Sequence, residues 1–292
     1  MQSFTIVEMR HFERFELRFI RLKTLNTFKT YETDEEMKVS EIRSMSEANF
    51  TYPSGFSFFE PYLGYFLRET LEIGGEAHVS RNSDGSVSGI FMYDNAEKVG
   101  SIYTASREVF DYFYGLKPFN YVFSELKTDL ENEAYDIYTI NLEGLTINHR
   151  FSHEISMVDS SQADEIEMFM CMTHPGINRR WAKVALKNGD RCFTVRLGDE
   201  IAGLGWCSLV NGIGRLHSLY VKPQFRRLGM GDDILAARLL WLKSKQAHSV
   251  FSEISRYNFS CSRIATKEHM KVSGHVYRYF KKKPNLENQK KN

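Results

Sequence analysis

The sequence predicts an α/β (α+β) fold built twice. First, the chain has 292 residues, about twice the size of an ordinary single domain. Second, strand-like and helix-like segments follow the same order in both halves. Third, Gly89 and Gly100 stand eleven apart inside a strand–turn–strand unit, and so do Gly203 and Gly214. The halves are expected to meet near 143–152. This gives domains over 1–148 and 149–281, followed by a disordered basic tail over 282–292.

In the first half, DEEMKVSEIRSMSE (34–47) reads as a helix, with Asp34 as its N-cap. Residues 50–66 (FTYPSGFSFFEPYLGYF) are crowded with aromatics. They read as a buried helix pair against a sheet, or as an aromatic ligand wall or subunit contact. Three short runs bounded by turn residues follow as strands at 76–81, 86–93 and 98–104. Asn82–Gly85 and Asp94–Glu97 read as hairpin loops. A helix near 106–115 and strands near 119–125 and 134–141 complete this half.

The second half repeats the order. A strand over 153–159 leads to helices at 161–172 and 177–188, separated by His174-Pro175-Gly176. Strands follow at 191–197, 200–209 and 214–221. Then come a long helix at 229–246, a strand at 249–255, a helix near 260–270 and a last strand near 274–281. The methionines of 168–172 (MFMCM) read as core filling, or as a flexible pocket lining.

Composition excludes several classes. Hydrophobic residues make up 42% and charged residues 26% of the chain, as in an ordinary globular protein. The net charge is +1, and the last twelve residues hold five Lys and one Glu, so the rest sums to −3. That balance gives no electrostatic case for nucleic-acid binding. No run is long and apolar enough for a membrane span, and the charged start has no apolar signal region, so a cytoplasmic protein is expected. Cys171, Cys192, Cys207 and Cys261 form no CxxC pair and read as reduced core thiols. The scattered His residues form no HxxxH or HExxH, so no metal site is expected. No GxSxG elbow occurs either.

Chemistry concentrates in Leu219-Tyr220-Val221-Lys222-Pro223-Gln224-Phe225-Arg226-Arg227-Leu228-Gly229-Met230-Gly231-Asp232. An apolar strand ends at Val221, Pro223 stops its ladder, and a helical pattern begins within the glycines. Successive backbone N–H groups at such a helix start converge on one point, aided by the helix dipole. This makes a cradle for phosphate. Gly229 and Gly231 let the backbone approach the anion, and Arg226 and Arg227 add positive charge. The loop lacks the Gly-Lys-Ser/Thr of a Walker A and the third glycine of a dinucleotide fingerprint.

Arg226-x-x-Gly229-x-Gly231 after a strand resembles the signature of the GNAT superfamily of acetyl-CoA-dependent N-acyltransferases. The resemblance covers about 153–281 and is most specific over 200–258. Together with the internal repeat, which extends the fold to the first half, it implies two tandem GNAT-like domains, each a mixed, mostly antiparallel twisted sheet flanked by helices. It also implies that main-chain groups of Leu219–Val221 meet the pantetheine arm and acetyl carbonyl of acetyl-CoA. The loop from Arg226 through Arg227, Leu228, Gly229, Met230, Gly231 and Asp232 would hold the pyrophosphate. Asn258 matches the family's Asn near the pantetheine. The family's Tyr, which protonates the leaving thiolate, falls at Ala265, and its Gly-Phe pair at His269-Met270. Tyr257, Tyr277 or Tyr279 could replace that acid from another direction.

In such a reaction the acceptor amine attacks directly, so no protein nucleophile is needed. Candidate bases are His217, which the strand period places on the face of Leu219 and Val221, and Glu253. Either also fits a structural role, as a hydrogen-bonded His or a salt bridge. The first half has no Arg-x-x-Gly-x-Gly, and is expected to be a degenerate copy that binds no acetyl-CoA. The resulting reading is an N-acetyltransferase acting on a primary amine, small molecule or peptide, as a monomer or homodimer. The alternative is a non-catalytic acyl-CoA-binding sensor or interaction module.

Overall fold

The computed structural model describes residues 37–281, except 49, 54, 175 and 176. The Asp34 cap and the 282–292 tail therefore lie outside the described residues. All described residues fall in one compact unit.

Among the described residues twelve strands form one sheet. In the first half these are β1 (Lys38–Ile42), β2 (Glu76–Arg81), β3 (Val87–Asp94), β4 (Val99–Tyr103), β5 (Tyr121–Ser124) and β6 (Asn132–Asn141). In the second half they are β7 (Ile155–Met157), β8 (Arg191–Leu197), β9 (Glu200–Val210), β10 (Ile213–Val221), β11 (Ser249–Ser255) and β12 (Lys271–Phe280). The helices are α1 (Glu60–Glu72), α2 (Arg107–Leu116), α3 (Ala163–Thr173), α4 (Trp181–Lys187), α5 (Met230–Ser244) and α6 (Phe259–Lys267).

The strand order is β1-β2-β3-β4-β5-β12-β6-β11-β10-β9-β8-β7. Read inward from either edge, the two halves give equivalent lists. Each half ends by lending its last strand to the other: β12 pairs with β5, and β6 pairs with β11. The two lent strands pair with each other at the centre. Only β4–β5 and β10–β11 are parallel; all other neighbours are antiparallel. The mixed, mostly antiparallel sheet and the repeated architecture are thus as expected, while the exchange of end strands is new. The matched glycine pairs fall on equivalent strands, β3–β4 and β9–β10. Their contacts differ: a Cβ on Gly100 would meet Phe91, and one on Gly214 would meet Leu242 of α5.

Two expected elements are corrected. Residues 34–47 were expected to be helical, but Lys38–Ile42 is a strand on the sheet edge, followed by one 3-10 turn at Met45–Glu47. Pairing with β2 satisfies one edge of this backbone and buries Ile42, which outweighs a modest helical pattern. The aromatic run does not make a helix pair. Turns lead into a single helix with Pro61 in its first turn. Phe56, Phe59, Tyr62 and Phe66 of the run are buried and Phe58 is exposed, and Phe59, Tyr62 and Phe66 share a core cluster with Phe251 of β11. Of the 168–172 methionines only Met170 fills the core, while Met168 and Met172 are exposed. Among the cysteines Cys192 and Cys207 are buried and Cys171 is exposed.

Helix α5 covers one side of β8–β10 with Ile234, Leu235, Leu239 and Leu242. Helix α1 of the first half also reaches the second half. Its Tyr62 hydroxyl donates to the Ile213 carbonyl of β10 at 2.8 Å, and its Tyr65 hydroxyl to Asp190 Oδ1 at 2.7 Å.

Candidate active site

Strand β10 is held differently along its two edges. On one edge it pairs with β9 from Ile213 to Val221. On the other it pairs with β11 only at Ile213, Gly214 and Arg215. Beyond Arg215 the parallel strands part, and a cavity of about 660 Å³ opens between them. Leu216–Leu219 line it from β10, Ser252–Ser255 from β11, and Asn258, Cys261 and Ala265 from the following segment.

The parting is accompanied by a bulge. His217 faces Trp206 and Tyr220 faces Leu204, so β10 carries one extra residue there, with Ser218 at φ +51°. The bulge corrects the strand-period argument for His217. Through their β9 partners, His217 shares a face with Tyr220, not with Val221. Arg238 of α5 braces the bulge from below. It is buried, and donates to the carbonyls of Trp206 and His217 at 3.0 and 3.3 Å.

After Val221 the chain turns through Pro223–Phe225, and Arg227 and Gly229 both adopt left-handed backbone (φ +67° and +86°). Alternation of this kind curves main-chain amides into a concave anion nest. Gly229 is the N-cap of α5 and offers no capping side chain. The first-turn amides, through Asp232, therefore lack the partner that a Ser or Asp cap would supply. A Cβ on Gly231 would sit 3.1 Å from Ile264 of α6. The nest, the missing cap and the open strand edge fit a diphosphate followed by an extended arm. In the first half the equivalent strands stay paired over Val99–Ile102, and Ser106 caps α2 through the Val109 amide.

The other sequence-derived donor residues are placed as follows. Arg226 Nε donates to the Val221 carbonyl at 3.0 Å, and its guanidinium lies 5.6 Å from the Tyr220 ring centre. That carbonyl is thus already engaged by the protein. Leu228 is exposed and Met230 is buried in the core. Asp232 pairs with Lys267 at 3.1 Å. Asn258 lines the cavity and spends its side-chain oxygen on the Cys261 amide, capping α6.

The candidate bases differ in state. Glu253 lines the cavity but is ion-paired with Arg215 at 3.0 Å. His217 lies against Trp181 and Trp206, with Nε2 3.5 Å from Asp190. Burial, and then the Arg215 charge, push its imidazole well below the ordinary value, so it is neutral and a weak base. Tyr257 is 76% exposed and does not line the cavity. Tyr279 is fully buried, its hydroxyl engaged by Leu126 and Thr128. Ala265 lines the cavity with a methyl group.

Sequence reasoning missed several cavity residues: Glu69 of α1, His174, Asn178 and Trp181 of the α3–α4 segment, and Arg238. Asp190, buried behind His217, was also missed. Burial raises Asp190 and Glu69 each to about 7. No group of three His, Cys, Asp or Glu among the described residues could hold a metal. No helix among them is long and apolar enough to cross a membrane.

The sequence profile described as "Acetyltransferase (GNAT) family" matches residues 155–263, the stretch that contains the split strands and the nest. Over these residues the chain is similar to the GNAT family. The fold is similar to a tandem GNAT protein from the clavulanic acid biosynthesis pathway. The two share 9% identity and a TM-score of 0.55 over 84% of this chain and 98% of that one. A GNAT-family acetyltransferase from Colwellia psychrerythraea is similar at 10% identity and TM-score 0.52, covering 84% of this chain and 100% of that one. A GCN5-related N-acetyltransferase from Sphaerobacter thermophilus is similar at 13% identity and TM-score 0.50, covering 70% and 80%. No curated protein matches the chain. At these identities the structural likeness speaks for the GNAT fold, and the tandem relative spans both halves.

Proposed function

We propose that the second half transfers acetyl from acetyl-CoA to a primary amine by direct attack of the amine. The observation that carries this reading is the continuity of one path. The split between β10 and β11 runs into the uncapped, left-handed turn at Arg227–Gly229. Main-chain amides of Gly229–Asp232 would hold the diphosphate, with Arg226 and Arg227 adding charge. The free edge of Leu216–Leu219 would take the pantetheine arm, with Asn258 beside it. When bound, acetyl-CoA supplies an activated acyl group as a thioester. Arg238 fixes the bulged backbone in place, so the groups facing the thioester carbonyl are pre-positioned. The first half keeps its strands closed and its helix capped, and serves as a wall of the cavity rather than a second donor site.

The alternative, a module that binds CoA thioesters without turnover, draws on Ala265, where the family's acid has become a methyl group. Thiol release from acetyl-CoA, followed over a panel of primary amines, tests the reading. Amine-dependent release supports the enzyme. Coenzyme A binding with no release across the panel supports the module.

A further inference from the structure

The first half contributes more than a wall. Along α1, Tyr62, Tyr65, Phe66 and Glu69 fall at i, i+3, i+4 and i+7, on one helix face. That face is turned to the second half. Tyr62 bonds β10, Tyr65 bonds Asp190, and the Phe66 ring lies 4.9 Å from the Arg215 guanidinium. Glu69, one turn further on, accepts a hydrogen bond from Trp181. It lines the same cavity as Leu216–Leu219.

Charge accounting in this cavity singles Glu69 out. Glu253 is neutralised by Arg215. Asp94 accepts from the amides of Ala96 and Glu97 and from Asn178. Arg238 is held by backbone carbonyls. Glu69 forms no ion pair among the described residues, so its ionised form is a half-buried anion in want of a cation. The surrounding wall is apolar and aromatic, with Phe59, Phe66, Tyr103, Tyr121 and Trp181. Such rings suit an ammonium and an apolar body at once.

We propose that Glu69 receives the ammonium group of an apolar or aromatic primary amine and removes its proton for attack on the acetyl group. This rests on the acetyl-transfer reading. Glu69 takes one proton from the ammonium and later releases it to solvent. The freed nitrogen pair forms the N–C bond to the acetyl carbon while the C–S bond breaks, its electrons leaving on sulfur. The second proton lost by the nitrogen ends on that thiolate. Burial, then the neighbouring Asp190 carboxyl, raise Glu69 to about 7, partly offset by Arg215 and Trp181, with Glu72 adding slightly. A base with that affinity is ionised just above neutrality and still takes a proton readily.

The test uses the full chain, Glu69→Gln and Glu69→Asp, with coenzyme A, 2-phenylethylamine and 2-phenylethanol as probes. Calorimetry is expected to give the same coenzyme A affinity for wild type and Glu69→Gln. In the presence of coenzyme A, Glu69→Gln should bind 2-phenylethylamine roughly 30-fold more weakly, while 2-phenylethanol should not distinguish the two. The 2-phenylethylamine-dependent kcat/KM should fall roughly 100-fold or more. Its rise through pH 7 should vanish in Glu69→Gln and return in part in Glu69→Asp. Unchanged amine affinity and pH profile in Glu69→Gln would overturn the proposal and leave the donor site standing. Wild type that binds coenzyme A but neither binds nor acetylates 2-phenylethylamine would overturn the acceptor class. Wild type that binds no coenzyme A would overturn the acetyl-transfer reading itself. Should Glu69→Gln fail to fold, the wild-type pH dependence of 2-phenylethylamine binding decides. A transition near 7 that persists in Asp190→Asn supports Glu69, and a flat wild-type profile, or a transition lost in Asp190→Asn, overturns it.

Discussion

Arg215 and Glu253 form a forked ion pair across the last rung of the parallel β10–β11 junction. Arg215 Nε lies 3.1 and 3.2 Å from the two carboxylate oxygens, and the strands part directly after it. The pair joins the strands at the mouth of the split, so Glu253 acts there as a strut.

Removing one partner should therefore cost stability. Glu253→Ala is expected to destabilise the fold by about 2 kcal/mol, since it leaves the Arg215 guanidinium largely buried without its counter-charge. Urea denaturation measures this. The double variant Arg215→Met/Glu253→Leu should recover most of the loss.

Asp233, on the first turn of α5, ties the segment between the halves to the nest. Its carboxylate accepts from His149 at 2.6 Å, from His153 at 2.7 Å, and from the amides of Ser152 and His153. Burial alone would raise this carboxyl, but the bonds from His149, His153 and Ser152 hold it below its ordinary value. A lowered folded value means the stabilisation is complete above the ordinary carboxylate range and is lost as pH falls through the lowered value. Asp233→Ala should lose about 2–3 kcal/mol near neutral pH. The difference from wild type should shrink in urea titrations carried toward pH 3.

Glu69 and Asp190 have the opposite sign. Both are raised to about 7, chiefly by burial, from ordinary values near 4. Their contribution is present at about pH 4 and is lost as pH rises through 7. The melting temperature should fall between about pH 5 and pH 7.5. Glu69→Gln/Asp190→Asn should flatten that slope.

Much of this site was legible in the chain itself. The strand, the Pro223 stop, the glycines and the α5 pattern lie within one short stretch, so local chemistry specified the nest. His217, Glu253 and Asn258 were also named from the sequence and all line the cavity, Glu253 in the salt bridge weighed for it as an alternative to a base. What stayed hidden was long-range. The bulge at Ser218 reversed the face on which His217 was expected, and strand periodicity carries no sign of a bulge. Glu69 meets Trp181 and Asp190 only after folding, more than a hundred residues from either in sequence. Its one local signal was the i, i+3, i+4, i+7 spacing within the aromatic-rich segment of Tyr62–Glu69. The exchange of β6 and β12 was equally silent, because a strand's pattern names its buried face and not its neighbour.

Coenzyme A affinity measured by calorimetry on wild type and on Gly229→Asp/Gly231→Asp tests the central claim most directly. The double variant places two carboxylates at the start of α5. A weakening of roughly 100-fold, with the circular dichroism spectrum unchanged, is the predicted result. Equal affinity in the two proteins would contradict it.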